Sequence, residues 1–440
     1  NYNVWEIMMY PDPWPGNHIL NTLLTKLSMN IFGQEQWAAR LPNALFFVLY
    51  FYAAYHICLQ LFKNDLLPFL GCLTFFIFNP FLLDFFSVCR GYGMSNALML
   101  CSSMLLLKGF MVQEWRAVWW SLAFAVLASY ANFTLLIYWC AVTAMIAIFA
   151  WNDYLNHKNI KQFYTKIAIL AGIDLIYLLL IYTPIHKMQS TDQFEYWQSN
   201  GFFKDTIISL IENSRYGSKM IDIPHEYFAI ISVLFFFIAG AFMMYHWGRY
   251  TWKEAVKTPV FVAFSLLALT VFVNIMQTII LKTPNLTTRT ALSFYPLFVL
   301  LISAVLYHIQ QSKNLITQIV SSLLLIFSVW HLARTVTYDR VREWWYDANT
   351  FQVLEILKNN SNNNAISLQT GWHFHRSFDF YFQTGKTPYL KLAEYNKNID
   401  AIGNYDYYYV FESDYPLLQN QYDVVEKFDG GSRLLLKRKN

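Results

Sequence analysis

The chain has 440 residues, of which 56% are hydrophobic and only 14% are charged. Soluble domains carry about 25% charged residues, so this composition predicts a multi-pass membrane protein. The net charge of +4 comes from scattered residues and forms no basic patch, which excludes nucleic acid as a partner. The five cysteines lie in or beside apolar runs without metal-ligand spacing, and we interpret them as packing residues.

The chain opens with a proline-rich loop. Residues 10–18 read Tyr-Pro-Asp-Pro-Trp-Pro-Gly-Asn-His, so three prolines surround Asp12, and His18 closes the segment. Because proline restricts the backbone, the loop can hold an acid in a fixed place, as a general base requires. Asp12 is therefore a candidate base with His18 as its neighbour, and an ordinary exposed loop acid is the alternative.

An amphipathic helix is predicted at residues 17–33, because its apolar positions repeat with the helical period. Asn17 can cap its start and Gly33 can end it. The segment is too polar to span a membrane, so we place it on the outer surface and treat residues 1–40 as one outer region. Because these residues have the character of the exit side of a span, one further helix is expected before Asn1.

The middle of the chain, 41–334, predicts a bundle of membrane spans of about 20 residues each. The ten predicted spans are 41–62, 66–84, 91–109, 116–131, 133–151, 166–184, 226–247, 258–281, 291–309 and 315–334. Alternate connecting loops are richer in Lys and Arg, and the positive-inside rule places those loops in the cytoplasm. The first forty residues and everything after 334 then lie outside.

The composition changes after Arg334, where the apolar runs end. Segments 351–358 and 376–383 have helical patterns, and segments 365–369, 405–412, 422–428 and 433–437 have strand patterns. We therefore predict a small outer α/β domain at 335–440. His373 and His375 would share one face of a strand; a metal site needs a third ligand, so a structural or acceptor-contact role is favoured.

Charged residues mark the outer ends of several spans. Asp84 and Arg90 flank the second and third spans, and Arg289 opens a late span with Lys282 seven residues before it. Charge at the edge of the hydrocarbon is costly and usually functional, and arginine matches the geometry of phosphate. We interpret the arginines as phosphate ligands and Asp84 as an acid near an acceptor or metal. An Asp84–Arg90 salt bridge and lipid-headgroup anchoring by Arg289 are the alternatives.

In this order, the motifs resemble the GT-C-fold polyprenyl-phosphate-sugar glycosyltransferases, which include aminoarabinose transferases of lipid A and protein O-mannosyltransferases. The layout extends over residues 10–334, with specific motifs at 10–40, 79–93 and 287–296. The segments that carry it are the Asp12 loop with Asn-His, the amphipathic helix, Ala-Ala-Arg40-Leu-Pro, Asn79-Pro80, Asp84, Arg90-Gly-Tyr-Gly and Arg289 before a span.

The resemblance implies a GT-C-like enzyme in a bacterial inner membrane, with its site facing the periplasm. It would transfer a sugar from a polyprenyl-phosphate donor to an acceptor that is a glycan, a lipid or a protein. The implied catalytic residues are Asp12, Asp84 and His18, and the implied donor-phosphate ligands are Arg90, Arg289, Arg40 and Lys282. No metal ligand and no definite cofactor is implied, and a divalent cation is left open.

One family feature is missing from this sequence. The family often has an adjacent Asp-Glu pair after its first span, so the catalytic acid is expected before Asn1 unless this chain departs from the pattern. A non-catalytic subunit or scaffold with the same fold is therefore the alternative function. A transporter is less favoured, because no inverted repeat is apparent.

Overall fold

The computed structural model describes residues 2–12, 16–63, 65–191, 199–217, 223–248, 251–310, 315–361, 364–399 and 404–439. The chain divides into two compact units, residues 1–336 and 337–440. The described part of the first unit is helical, and the second contains a five-stranded sheet. The predicted fold class, a helical membrane bundle followed by a small α/β domain, is confirmed.

The helices of the first unit include every predicted span. They are α1 (Val4–Met8), α2 (Ile19–Phe32), α3 (Gln36–Phe62), α4 (Leu66–Ile77), α5 (Pro80–Ser87), α6 (Gly91–Val112), α7 (Trp115–Ala131), α8 (Leu136–His157), α9 (Ile160–Ser190), α10 (Ser209–Ser214), α11 (His225–Trp247), α12 (Trp252–Ala255), α13 (Pro259–Leu281), α14 (Phe294–Gln310) and α15 (Leu315–Thr335). A π-helical turn, Phe203–Ile208, leads directly into α10.

Eight helices of the described chain are long and apolar enough to cross a membrane. The predicted span 66–84 is instead the pair α4 and α5, which bends by 55°. The bend lies before Pro80, which has no N–H to continue a helix, and the side chain of Asn79 caps α5 by accepting from the N–H of Leu82. The predicted span 116–131 corresponds to α7, which has only 17 residues.

The amphipathic helix forms as α2, with one correction at its start. His18, not Asn17, occupies the N-cap position, and the side chain of Asn17 accepts from the hydroxyl of Thr22 at 3.2 Å. Gly33 ends the helix with a φ of +85°, a conformation that favours glycine. The next helix, α3, begins at Gln36 and not at 41, so Arg40 lies within a helix.

The second unit contains a mixed sheet. Its strands are β1 (Ile366–Thr370), β2 (Leu390–Leu392), β3 (Tyr407–Phe411), β4 (Tyr422–Phe428) and β5 (Arg433–Arg438), and its helices are α16 (Thr350–Asn360) and α17 (Trp372–Gln383). The strand order is β2-β1-β3-β5-β4; β1 is parallel to β2 and β3, and β5 is antiparallel to β3 and β4. Helices α16 and α17 pack on one face of the sheet, and the other face has its own apolar cluster around Tyr408 and Val410.

The strand predicted to carry His373 and His375 is wrong. Both residues lie in α17, which starts directly after Gly371, and a two-residue spacing in a helix separates the side chains by roughly 200°. The three-residue strand β2 was not predicted, because it is too short to show an alternating pattern.

Candidate active site

The structure brings Arg90 and Arg289 to one place, although about 200 residues separate them in sequence. Nε of Arg289 donates to the hydroxyl of Tyr92 at 3.2 Å, and the Tyr92 ring meets the His18 ring edge-to-face at 4.8 Å. On the other side, Nη1 of Arg90 would lie 3.2 Å from a Cβ added to Gly16. The two guanidinium groups thus flank the segment 16–18 and the start of α6.

His18 is the buried centre of this cluster. Its side chain is 5% exposed, and its Nε2 atom has no hydrogen-bond partner among the described residues. Burial, together with the positive charges of Arg90 and Arg289, lowers the pKa of His18 to about 3. The imidazole is therefore neutral near pH 7, and its Nε2 atom is a buried polar atom without a partner among the described residues.

The two glycines of the Arg90-Gly-Tyr-Gly motif allow close packing. A Cβ at Gly91 would collide with the carbonyl oxygen of Ala131 and lie 2.7 Å from Cβ of His18. A Cβ at Gly93 would collide with the carbonyl oxygen of Phe85. Because only hydrogen fits at either position, the start of α6 can contact the histidine, α7 and α5 at once.

Asn43 of α3 fixes the turn that carries Arg90. Its amide Nδ2 lies 2.8 Å from the carbonyl oxygens of Val88 and Arg90 and 2.9 Å from Oδ1 of Asn21 on α2. Its Oδ1 accepts from the N–H of Met94 at 3.2 Å. Asn43 is 1% exposed, so one buried amide connects α2, α3, the Arg90 turn and the first turn of α6. The sequence shows Asn43 only as one polar residue in an apolar run.

The loop that carries Arg289 is fixed from the side of the π-helical turn. The N–H of Thr288 donates to Oγ of Ser209 at 3.0 Å, and the hydroxyl of Thr206 donates to the carbonyl oxygen of Leu286 at 2.6 Å. Thr288 has a φ of +48°, which is strained for a β-branched residue. Such strain persists where surrounding contacts hold the backbone, and here it immediately precedes the arginine.

Asp84 lies half-buried on α5, the helix that leads into the Arg90 turn. Both of its carboxylate oxygens lie 2.9 Å from the hydroxyl of Tyr216, which donates to them. Phe85, the next residue, packs against the ring of Tyr92 at 5.1 Å. Asp84 is thus one helix turn from the cluster, held by a tyrosine that sequence reasoning did not connect with it.

Asp12 lies at the exposed side of the first loop. The hydroxyl of Tyr2 donates to Oδ1 of Asp12 at 3.3 Å, and the carboxylate makes no ion pair within the described chain. The loop is anchored just before it, because Nζ of Lys187 donates to the carbonyl oxygens of Met9 at 2.6 Å and Tyr10 at 3.2 Å. Residues 13–15, which include two of the stiffening prolines, lie outside the described residues.

Arg40 and Lys282 show no contact with the cluster among the described residues. Both are exposed. Likewise, the described residues contain no group of three or more His, Cys, Asp or Glu side chains that could hold a metal ion. Of the predicted residues, the structure therefore joins His18, Arg90 and Arg289, with Asp84 nearby on α5.

A large apolar cavity of about 660 Å³ lies inside the helical unit. Most of its walls are aromatic and aliphatic, and its polar lining includes Ser214, Arg215 and His331. Asn79, at the α4–α5 bend, donates to Oγ of Ser214 at 3.1 Å. Thr206 lines the same cavity and bonds the Arg289 loop, so the cavity and the arginine cluster share the Phe203–Ser214 segment. Sequence reasoning missed this cavity, because its walls come from many separate segments.

Comparisons with known proteins give a structural similarity without a sequence match. No family model matches the chain, and no curated protein sequence matches it significantly. Among solved structures, the chain is similar to ArnT from Cupriavidus metallidurans in the apo state, with a TM-score of 0.43 and 11% sequence identity. The similarity covers 95% of this chain and 87% of the ArnT chain.

Proposed function

We propose that this protein is a membrane glycosyltransferase that transfers a sugar from a polyprenyl-phosphate donor to an acceptor hydroxyl at the outer face of the membrane. The observation that carries the proposal is the convergence of Arg90 and Arg289 on the buried, neutral His18. Two guanidinium groups from distant parts of the chain match a ligand with more than one anionic oxygen.

The chemistry requires cations at this point. The acceptor oxygen bonds to the anomeric carbon, the carbon–oxygen bond to the phosphate breaks, and the phosphate oxygen leaves with the bonding electrons. Arg90 and Arg289 would stabilise the charge that grows on that phosphate. The N-terminus of the 22-residue helix α6, which begins at Gly91, directly after Arg90, would also favour an anion there. The free Nε2 of His18 would donate or accept one hydrogen bond to the donor.

The apolar cavity supports a lipid donor. The cavity has a volume of about 660 Å³, and its walls are mainly aromatic and aliphatic. Such a cavity suits a hydrocarbon chain, because the transfer of apolar surface out of water is favourable. Because the segment Phe203–Ser214 lines the cavity and bonds the Arg289 loop, a chain in the cavity would extend from a phosphate at the arginines.

The proton of the acceptor hydroxyl needs a base. Asp84 is the candidate that best fits, because it is half-buried and oriented by Tyr216 close to the Arg90 turn. Asp12 is the second candidate, since it shares the first loop with His18. We assign no divalent cation to the reaction, and Arg40 and Lys282 stay secondary candidates for phosphate binding.

The test separates lipid binding from transfer. The full chain is placed in nanodiscs, and binding of polyprenyl phosphate is measured by native mass spectrometry for Arg90→Gln and Arg289→Gln. Loss of one charge-assisted contact costs about 1.5–3 kcal/mol, so each variant should bind at least about tenfold more weakly. Arg116→Gln, at the far end of α7, is the matched control and should bind like the wild type.

Transfer is then followed as release of polyprenyl phosphate from a labelled polyprenyl-phosphate sugar in membranes that contain the native acceptors. Asp84→Asn should bind the lipid normally and lose transfer; Asp12→Asn tests the second acid in the same way. Wild-type binding by both arginine variants would refute the phosphate site. Lipid binding by the wild type without any transfer would favour the scaffold alternative.

A further inference from the structure

The sheet of the second unit has a topological switch point between β1 and β3. Helix α17 connects β1 to β2 on one face of the sheet, where Phe374 and Phe378 are buried. The connection that leaves β3 begins at Glu412, and Tyr415 and Leu418 of this connection pack on the other face. Because the two connections leave the neighbouring parallel strands toward opposite faces, the carboxyl ends of β1 and β3 are the position at which such a sheet forms a crevice.

An exposed aromatic surface lies at this crevice. Trp372 is the first residue of α17 and is 45% exposed. Its ring packs at a tilt against the ring of His373, with centroids 3.6 Å apart and an angle of 32°. His373 also packs against Phe411, the last residue of β3, at 5.2 Å, so this pair of rings connects the ends of both strands.

Polar groups border the same surface. Glu412 directly follows β3 and is exposed, and Asp414 lies two residues further. Burial lowers the pKa of His373, and the negative charge of the Asp414 carboxylate partly offsets this. At the end of β1, Thr370 is 4% exposed, and its hydroxyl has no hydrogen-bond partner among the described residues.

We propose that this crevice is a carbohydrate-binding site that takes a neutral pyranose ring. The apolar C–H face of a sugar stacks on an exposed indole such as that of Trp372, and sugar hydroxyls donate to carboxylates such as Glu412 and Asp414. Anionic ligands, including phosphates, are disfavoured by these two carboxylates, even though the α17 N-terminus lies near. The site belongs to the second unit and its residues are not those of the arginine cluster, so it does not depend on the proposed transfer reaction.

The test uses saturation-transfer NMR on the full chain in nanodiscs. The probes are the methyl pyranosides of glucose, galactose, mannose and N-acetylglucosamine. We expect saturation transfer to the ring protons of at least one probe. Trp372→Ala should raise its apparent dissociation constant by about five- to tenfold, the loss expected for one stacking contact, and Trp372→Phe should restore part of the signal. Glu412→Gln should also weaken binding.

Phe351→Ala is the matched control, because Phe351 is a 67% exposed aromatic residue on α16 of the same unit. Absence of saturation transfer to every probe, or equal signals in wild type and Trp372→Ala, would overturn the proposal. An equal loss of saturation transfer in Trp372→Ala and Phe351→Ala would also overturn the proposal, because it would show that the sugars contact exposed aromatic residues non-specifically. The measurement reads sugar binding through Trp372 and not transfer, so failure here and failure of the proposed transferase are distinguishable.

Discussion

The side-chain amide nitrogen of Asn43 lies 2.8 Å from the backbone carbonyl oxygen of Arg90. This contact sets the direction in which the chain enters α6, and therefore where the guanidinium of Arg90 can reach. Asn43→Asp keeps the size and one acceptor of the side chain but removes both donors. We expect transfer to fall at least about tenfold, because two buried carbonyl groups lose their partner.

The control for this substitution is Asn152→Asp, in which another fully buried asparagine loses its bond to Gln113. Steady-state transfer and thermal unfolding are measured for both variants. A positioning role for Asn43 predicts a loss of transfer beyond the loss seen in the control at equal stability. Equal transfer rates in the two variants would contradict it.

Gly91→Ala should disrupt the active site through packing alone. The added methyl would collide with the carbonyl oxygen of Ala131 and press on His18, at a cost of about 1–3 kcal/mol. Gly172→Ala in α9 is the matched control, because a Cβ there meets nothing within 4 Å. Thermal unfolding should show a lower midpoint for Gly91→Ala only, and an unchanged midpoint would mean that the helices separate freely at this point.

The stability of the first unit should depend on pH through His18. The ordinary histidine pKa is 6.5, and the folded value is about 3. Between these values the unfolded chain binds a proton that the folded chain does not, so stability is full above pH 6.5 and falls as the pH is lowered toward 3. His18→Gln should lose this dependence, whereas the exposed His157→Gln should retain it. Thermal unfolding from pH 4 to 7 gives the comparison, and parallel curves for wild type and His18→Gln would contradict the prediction.

The orientation of the chain is open to a labelling experiment. The positive-inside argument puts the end of α8 in the cytoplasm and the second unit outside. A membrane-impermeant thiol reagent should therefore label Asn359→Cys in intact cells and His157→Cys only after permeabilisation. Both positions are exposed, and the unsubstituted protein with its five native cysteines gives the background. Labelling of both positions from one side would contradict the orientation.

The parts of the fold that could be predicted are those governed by local patterns. Apolar runs located the helices of the bundle, and short runs of aromatic and aliphatic residues bounded by turn residues located β1, β3, β4 and β5. The break at Asn79-Pro80 and the 17-residue α7 were harder, since hydrophobicity does not show where a helix bends. His373 and His375 were assigned to a strand because a short segment rich in aromatic residues suits either structure.

The candidate site also contains residues that could be predicted from the sequence and residues that could not. His18, Arg90 and Arg289 could be selected as polar residues in costly places, and the structure puts them together. The residues that hold these three in place could not be predicted. Asn43 bonds to backbone carbonyl groups, and Ser209 bonds to the backbone N–H of Thr288. Such contacts depend on which helices are neighbours, and no single-sequence pattern records that. The roles of Asp12, Arg40 and Lys282 stay predictions.

The bend between α4 and α5 has a consequence for how this segment crosses a membrane. Helix α4 has 12 residues and rises about 18 Å, whereas the hydrocarbon layer is about 30 Å thick. Helix α4 alone is therefore about 12 Å too short for a crossing, and α5 continues at an angle of 55° to it. Polar backbone groups freed at such a break need partners, and Asn79 provides one by accepting from the N–H of Leu82, while its own amide donates to Oγ of Ser214.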